Sequence, residues 1–243
     1  MKKTQYNKQF YSVREKAAVQ SAEQVVPIVL EHLKPSCIID IGCGNGCWLS
    51  AFAKQGVNDY MGVDGGAVDS ENLLISPEHF SSADLSKETY TPGRRYDLVV
   101  SLEVAEHIPE DKADSFIEML TGLGDTVLFS AAIPGQGGVG HVNEQWQSYW
   151  AAKFKSAGYE ALDIVRPLIW ENPKVSYWYK QNILVYSKNP DNIDKSPPPS
   201  VLNLIHPDMF LSIINSLGVR LYRRLMRFLY SVYLKLPVRV GDR

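Results

Sequence analysis

The chain has 243 residues, 45% of them hydrophobic and 21% charged, with a net charge of −2. That is enough apolar material for one sizeable core plus an appendage, and the acidic balance argues against a broad phosphate-binding face. Three cysteines, Cys37, Cys43 and Cys47, fit neither a disulfide framework nor a four-ligand zinc site, which points to a reducing compartment.

Met1-Lys2-Lys3-Thr4 begins like a secretory leader, but Gln5-Tyr6-Asn7-Lys8-Gln9 follows with no apolar core, so a cytoplasmic location is expected. Residues 13–33 read as a helix with Ala17, Ala18, Val25, Ile28, Val29 and Leu33 roughly on one face, and with Pro27 at a kink or break. Next comes Ile38-Ile39-Asp40-Ile41-Gly42-Cys43-Gly44-Asn45-Gly46, a short apolar strand that ends on a carboxylate and turns through three alternate glycines. Glycine there lets the backbone turn sharply and pass close to a ligand. Residues 47–55 suit one amphipathic helix, stopped by Gly56.

A dinucleotide fingerprint needs G-x-G-x-x-G, whereas this loop reads D-x-G-x-G-x-G, with Cys47 where the third glycine would fall. Tyr60-Met61-Gly62-Val63-Asp64 is a second short strand ending in an acid 18 positions after Gly46, and a carboxylate there can accept from both hydroxyls of a ribose. Phe80-Ser81-Ser82-Ala83-Asp84-Leu85 and Tyr96-Asp97-Leu98-Val99-Val100-Ser101-Leu102-Glu103-Val104-Ala105-Glu106-His107-Ile108-Pro109 supply two further strand-to-loop stations. Helices are expected over 110–120, stopped by Gly122, and over 144–157, stopped by Gly158, with a buried strand at 126–130 between them. Runs 162–170 and 175–187 are β-rich and joined by Glu171-Asn172-Pro173-Lys174, so an antiparallel hairpin is expected.

Over residues 36–187 this succession resembles the class I S-adenosylmethionine-dependent methyltransferases. The resemblance implies an α/β, Rossmann-like sheet of seven strands in the order 3-2-1-4-5-7-6, the last antiparallel, with helices on both faces. It implies that S-adenosylmethionine is held by Asp40, Gly42, Cys43, Gly44, Gly46, Asp64, Asp84, Leu85, Ser101 and Leu102. Asp64 would be the ribose acid and Asp84 the adenine contact. Residues 1–35 would form a helical lid, where Tyr6 and Tyr11 either exclude water or simply pack on the domain.

Methyl transfer requires an aligned nucleophile and, for an oxygen acceptor, a base. Glu103, His107 and His141 follow the fourth and fifth strands and are the catalytic candidates, His107 first. Glu103-x-x-Glu106-His107 with a later histidine also resembles the E-x-x-E-H…H set of small-RNA 2′-O-methyltransferases and some quinone-ring O-methyltransferases. That likeness implies a divalent cation on Glu103, Glu106, His107 and His141. Hydrogen bonding within the loop explains the histidines equally well.

The acceptor is weakly encoded. Trp146, Trp150, Trp170, Tyr177, Trp178 and Tyr179 suit either a flat pocket or ordinary core and cross-strand positions. The run Gly140-His141-Val142-Asn143-Glu144-Gln145-Trp146 is similar to bacterial family members associated with surface-polysaccharide or other secondary biosynthesis. O-methylation of a small-molecule, glycan or lipid-linked hydroxyl is therefore the leading expectation. The alternatives are a metal-assisted RNA 2′-O-methyltransferase, an NAD-binding oxidoreductase, and a non-catalytic S-adenosylmethionine-binding adaptor.

Residues 188–200 form a polar, proline-rich linker. Residues 201–243 then carry seven Lys or Arg against two Asp, a net of +5 on a chain whose remainder is acidic. From Asp208 to Leu236 apolar residues recur at helical spacing, with Arg220, Arg223, Arg224 and Arg227 between them. Such a basic amphipathic helix fits peripheral contact with the inner face of a membrane. A helical hairpin broken at Gly218 and packed on protein is the other reading.

Overall fold

The computed structural model describes residues 2–65, 70–85, 87, 89–193, 199 and 201–233. The chain divides into two units, residues 1–204 and 205–243.

Among the described residues of the first unit, seven strands form one sheet: β1 (Cys37–Ile41), β2 (Asp59–Asp64), β3 (Phe80–Ser82), β4 (Leu98–Leu102), β5 (Thr126–Ser130), β6 (Glu160–Leu162) and β7 (Leu184–Ser187). Their order is β3-β2-β1-β4-β5-β7-β6, and β7 runs antiparallel to both β5 and β6. Alternation along the strands divides the core. Leu98 and Val100 pack on one face with Ile38, Trp48 and Phe52, while Val99 packs on the other with Ile39, Phe116 and Phe129. The order reverses between β1 and β4, and the carboxyl ends of those strands flank the crevice where open α/β sheets take ligands.

Helix α1 (Lys2–Leu33) continues past Pro27 without a break. Proline removes the bond to the Glu23 carbonyl, but Glu23 and Pro27 are both exposed, so water can solvate the freed group. Ala22, Val25, Val26 and Val29 on the other face are fully buried and hold the helix to the core. The side chains of Tyr6 and Tyr11 lie outside the described residues. Helix α2 (Cys47–Lys54) buries Trp48, Leu49 and Phe52, and Gly56 follows it at φ 96°. Helix α3 (Ala113–Leu123) contains Gly122 and stops at Gly124, where a Cβ would come within 2.6 Å of the Tyr96 carbonyl. Helix α4 spans Gln147–Ser156; the expected residues 144–146 stay out of it because Glu144 is committed to the preceding loop.

The expected hairpin of runs 162–170 and 175–187 is corrected. Strands β6 and β7 do pair, Leu162 opposite Val185, but the connection contains α5 (Arg166–Ile169) and α6 (Tyr177–Asn182). Pro167 sits in the first turn of α5, a position that its ring favours. Arg166, 1% exposed, settles the local geometry. Its guanidinium donates to both Asp163 oxygens at 2.8 and 2.7 Å and to the Gln181 and Leu202 carbonyls at 3.2 and 2.8 Å. Tyr177, Trp178 and Tyr179 are therefore helical residues, with Tyr179 edge-on to Trp48 at 5.0 Å.

In the second unit, α7 (Pro207–Tyr233) is one continuous helix that includes Gly218. The hairpin alternative is thereby set aside, and the expected stretch 234–236 lies outside the described residues.

Candidate active site

The glycine turn after β1 is tied to β2. Gly42 and Cys43 N–H groups both donate to the Val63 carbonyl, at 2.7 and 3.1 Å, and Gly44 N–H donates to Asp64 Oδ2 at 2.7 Å. Gly42, Gly44 and Gly46 adopt φ of 83°, 55° and 82°, a region that side chains disfavour. A Cβ on Gly42 would sit 2.3 Å from Val104 Cγ2, and one on Gly46 2.8 Å from Ile75 Cγ1, whereas at Gly44 it would meet nothing within 4 Å. Gly44 thus borders open space between two apolar walls. The sequence singled out neither Val104 nor Ile75 as part of the site; both are apolar residues indistinguishable by type from core.

Asp64 ends β2 partly buried. Burial raises its carboxyl above the ordinary range, while the Gly44 and Gly65 amides and His107 pull it back. Asp40 is 2% exposed, and its Oδ2 has no hydrogen-bond partner among the described residues. Burial and then the charge of Asp64 push its carboxyl well up. Both Cys43 and Cys47 are buried free thiols whose titration is pushed up, that of Cys47 to about 12, so they pack as small apolar groups and remain protonated. Asp84 is half-exposed and paired with Lys87 at 2.5 Å. Leu85 packs on the second core face, and Ser101 and Leu102 lie buried inside β4. From α1, Glu15 reaches the turn and accepts from Asn45 Nδ2 at 2.5 Å.

Past β4 the chain turns through Glu103 at φ 57°, left-handed for a residue that carries a side chain. Its carboxylate accepts from Gln136 Nε2 at 2.6 Å and Asn182 Nδ2 at 3.1 Å. The Gln136 carbonyl oxygen in turn accepts from Gln181 and Asn182, both at 2.9 Å. Four residues from three distant segments thus close one polar network. The sequence reading missed Gln136, Gln181 and Asn182, since their meeting depends on α6 standing where a strand was expected.

Glu106 lies in a short turn, Ala105–His107, and is 1% exposed. Its carbonyl accepts from Val142 and Asn143 N–H, at 2.9 and 3.0 Å, which fastens the loop after β5 across the end of β4. Its Oε2 has no partner among the described residues, and burial, then the charge of Glu103, raises its carboxyl strongly. His107 and His141 stand edge to face with ring centroids 4.9 Å apart. Nδ1 of His107 lies 3.1 Å from the Gly140 carbonyl, and Nδ1 of His141 lies 2.8 Å from Glu144 Oε1. A carbonyl or carboxylate only accepts, so Nδ1 is the donor in each pair. Glu144 also accepts from Gly135 and Gly137 N–H, both at 2.8 Å, and so shapes the whole loop. A Cβ on Gly138 would fall 1.9 Å from His141 Nε2, so the loop backbone passes directly over that atom. Glu144 is a further site residue that sequence reasoning missed, although its spacing of three from His141 is a usable signal.

Of the four residues expected to hold a cation, Glu106, His107 and His141 bring ligand atoms within 4.8 Å of one another. Glu103 is not in that group; its carboxylate is bound by the two amides.

A strand-end acid beside a left-handed glycine turn, with an acid–imidazole cluster one strand away, thus lies at the carboxyl edge of the sheet. Residues 13–163 match the family described as a methyltransferase domain, and the chain belongs to that family. It is 33% identical over 89 residues to the ubiquinone biosynthesis O-methyltransferase of Azorhizobium caulinodans, a match covering 33% of this chain and 34% of that protein. The enzyme of the same name from Rhodopseudomonas palustris is 30% identical over 122 residues, 46% of this chain and 42% of that one. The chain therefore spans about two-fifths or less of the curated relatives it matches. The fold is shared with the magnesium protoporphyrin IX methyltransferase of Synechocystis PCC 6803 with bound S-adenosylmethionine (TM-score 0.52, 20% identity, 71% of this chain and 80% of that one). It is also shared with an S-adenosylmethionine-bound amino pentose methyltransferase from Micromonospora echinaspora (TM-score 0.53, 14% identity, 75% and 96%).

The residues present fit S-adenosylmethionine. Asp64 offers a carboxylate to a ribose, Gly44 leaves room for close approach, and the orphaned Asp40 Oδ2 is an acceptor for a donor arriving from the turn.

Proposed function

We propose that this protein transfers a methyl group from S-adenosylmethionine to a hydroxyl oxygen of a small or lipid-linked acceptor bound beneath the loop 134–146. The observation that carries this reading is the pair of imidazoles with proton-bearing Nδ1 atoms at the end of β4, beside the glycine turn. Its support in oxygen as the acceptor atom comes from the curated O-methyltransferase relatives. When bound, S-adenosylmethionine supplies an electrophilic methyl carbon on a cationic sulfur.

The chain does the rest. Asp64 and the 42–46 turn hold the nucleoside, and the Val104 and Ile75 walls exclude water from it. His107, the more exposed of the two imidazoles, takes the hydroxyl proton on Nε2. Glu103, fixed by Gln136 and Asn182, orients the acceptor. Val139, Val142 and Trp146 are exposed at 68%, 65% and 36% along the loop, which suits an acceptor with an apolar body.

A divalent cation on Glu106, His107 and His141 is a second reading, favoured by their convergence and by Nδ1 anchors of the kind that hold metal-binding imidazoles. Such an ion would lower the pKa of a bound hydroxyl. The test is transfer of labelled methyl into quinone, lipid, glycan and RNA fractions of the source cell, with and without a chelator. Label in the apolar fractions that His107→Ala abolishes supports the base reading. Loss on chelation and recovery with Mg²⁺ or Zn²⁺ supports the cation, while binding of S-adenosylmethionine with no transfer anywhere would leave an adaptor.

A further inference from the structure

Helix α7 presents a stripe that the described structure leaves exposed. Phe210 (61%), Leu211 (53%), Ile214 (45%), Leu221 (70%), Leu225 (55%) and Met226 (46%) are all open to solvent. At about 100° per residue, they fall within one arc, together with Tyr222. The same arithmetic puts Arg224, itself exposed, on the opposite side, and the sequence places Arg220, Arg223 and Arg227 in the same helix. Large apolar side chains gathered on one side of a helix and facing water mark a surface with a partner.

The partner's chemistry follows from charge and length. Residues 201–243 carry a net of +5 against the acidic remainder of the chain, so this stretch is matched to a negative surface. No helix of the described residues is long and apolar enough to cross a membrane. Continuity through Gly218 means that the helix does not fold back to cover its own apolar side. An apolar arc that includes a tyrosine, on a helix rich in arginine, is the pattern of a helix lying in the plane of a lipid interface.

We propose that α7 is an interfacial helix that binds an anionic bilayer, its 210–226 stripe among the acyl chains and its arginines at the headgroups. The function is then to hold the methyltransferase at the surface where an apolar or lipid-linked acceptor resides.

The test uses the full chain with vesicles of phosphatidylcholine, alone or mixed with phosphatidylglycerol, read by flotation. Binding is expected only with phosphatidylglycerol and should weaken as salt is raised. It should fall at least about tenfold in Leu221→Asp/Leu225→Asp and in Arg224→Glu, since each basic group near an anionic surface contributes on that order. S-adenosylmethionine affinity, followed by calorimetry, should be unchanged in both variants; this reports a folded enzyme domain and separates the membrane claim from the methyltransferase reading. Absence of binding to either vesicle, equal binding by the variants, or a dimer that Leu221→Asp converts to monomer would overturn the proposal, the last by making a second copy the partner.

Discussion

At the scale of single residues, two carboxylates in the same crevice are set to different tasks. Asp64 is anchored by a backbone amide and remains partly open, so it can bind. Replacing it with Ala should weaken S-adenosylmethionine by about 1.5–3 kcal/mol, or roughly ten- to hundredfold, with little change in melting temperature. Calorimetry checks this, and unchanged affinity would remove the ribose assignment. Asp40 is buried with an unpartnered oxygen. Because its folded carboxyl titrates above the ordinary range, its contribution to stability is complete below the ordinary carboxylate pKa and is lost as pH rises through the raised value. In the absence of cofactor, Asp40→Asn should therefore gain on the natural chain as pH goes from roughly 5 to 8, followed by thermal melts. Parallel melting curves across that range would show that the carboxyl is not held protonated by the fold.

At the scale of elements, the β6–β7 connection shows how one buried cation overrides β-propensity. Arg166 satisfies four carbonyl or carboxylate partners on three segments, residues 163, 181 and 201–202. Taking it away removes a donor from Asp163 and from the Val201 and Leu202 carbonyls, and leaves the Gln181 carbonyl with Gln147. Arg166→Met should cost about 3 kcal/mol, read as a lower urea midpoint. It should also loosen Gln181 and Asn182, and through them Glu103, so turnover would fall further than S-adenosylmethionine affinity. A variant with native stability would mean that α5 and α6 are held by their apolar contacts alone.

At the scale of the molecule, the chain divides into two units. Residues 201–204 are tied to the first unit: Asn203 Oδ1 accepts from Ser148 N–H at 2.9 Å, and the Leu204 carbonyl accepts from Gln147 at 2.9 Å. A chain ending at Leu204 should accordingly unfold in one cooperative step and keep S-adenosylmethionine affinity within about twofold, as expected of independent parts, while losing vesicle binding. Loss of cooperative unfolding would make 205–243 a structural part of the enzyme domain.

The glycine turn and the acid at the end of β2 could be read from the chain because each depends on residues close in sequence: the steric demand of a tight turn and the alternation of apolar side chains act over a few positions. The strand order followed from the family resemblance instead. Pro27 inside α1, the failure of the hairpin, the Glu103–Gln136–Asn182 network and the Glu144 grip on His141 could not be read with the same security. Each is decided by what a side chain meets in the packed molecule. Water on one side of α1 makes a missing hydrogen bond tolerable, and a buried guanidinium needs acceptors that no extended strand would bring to it. Local spacing determined the glycine turn and the acid beside it; only tertiary packing decided which polar groups gather around them.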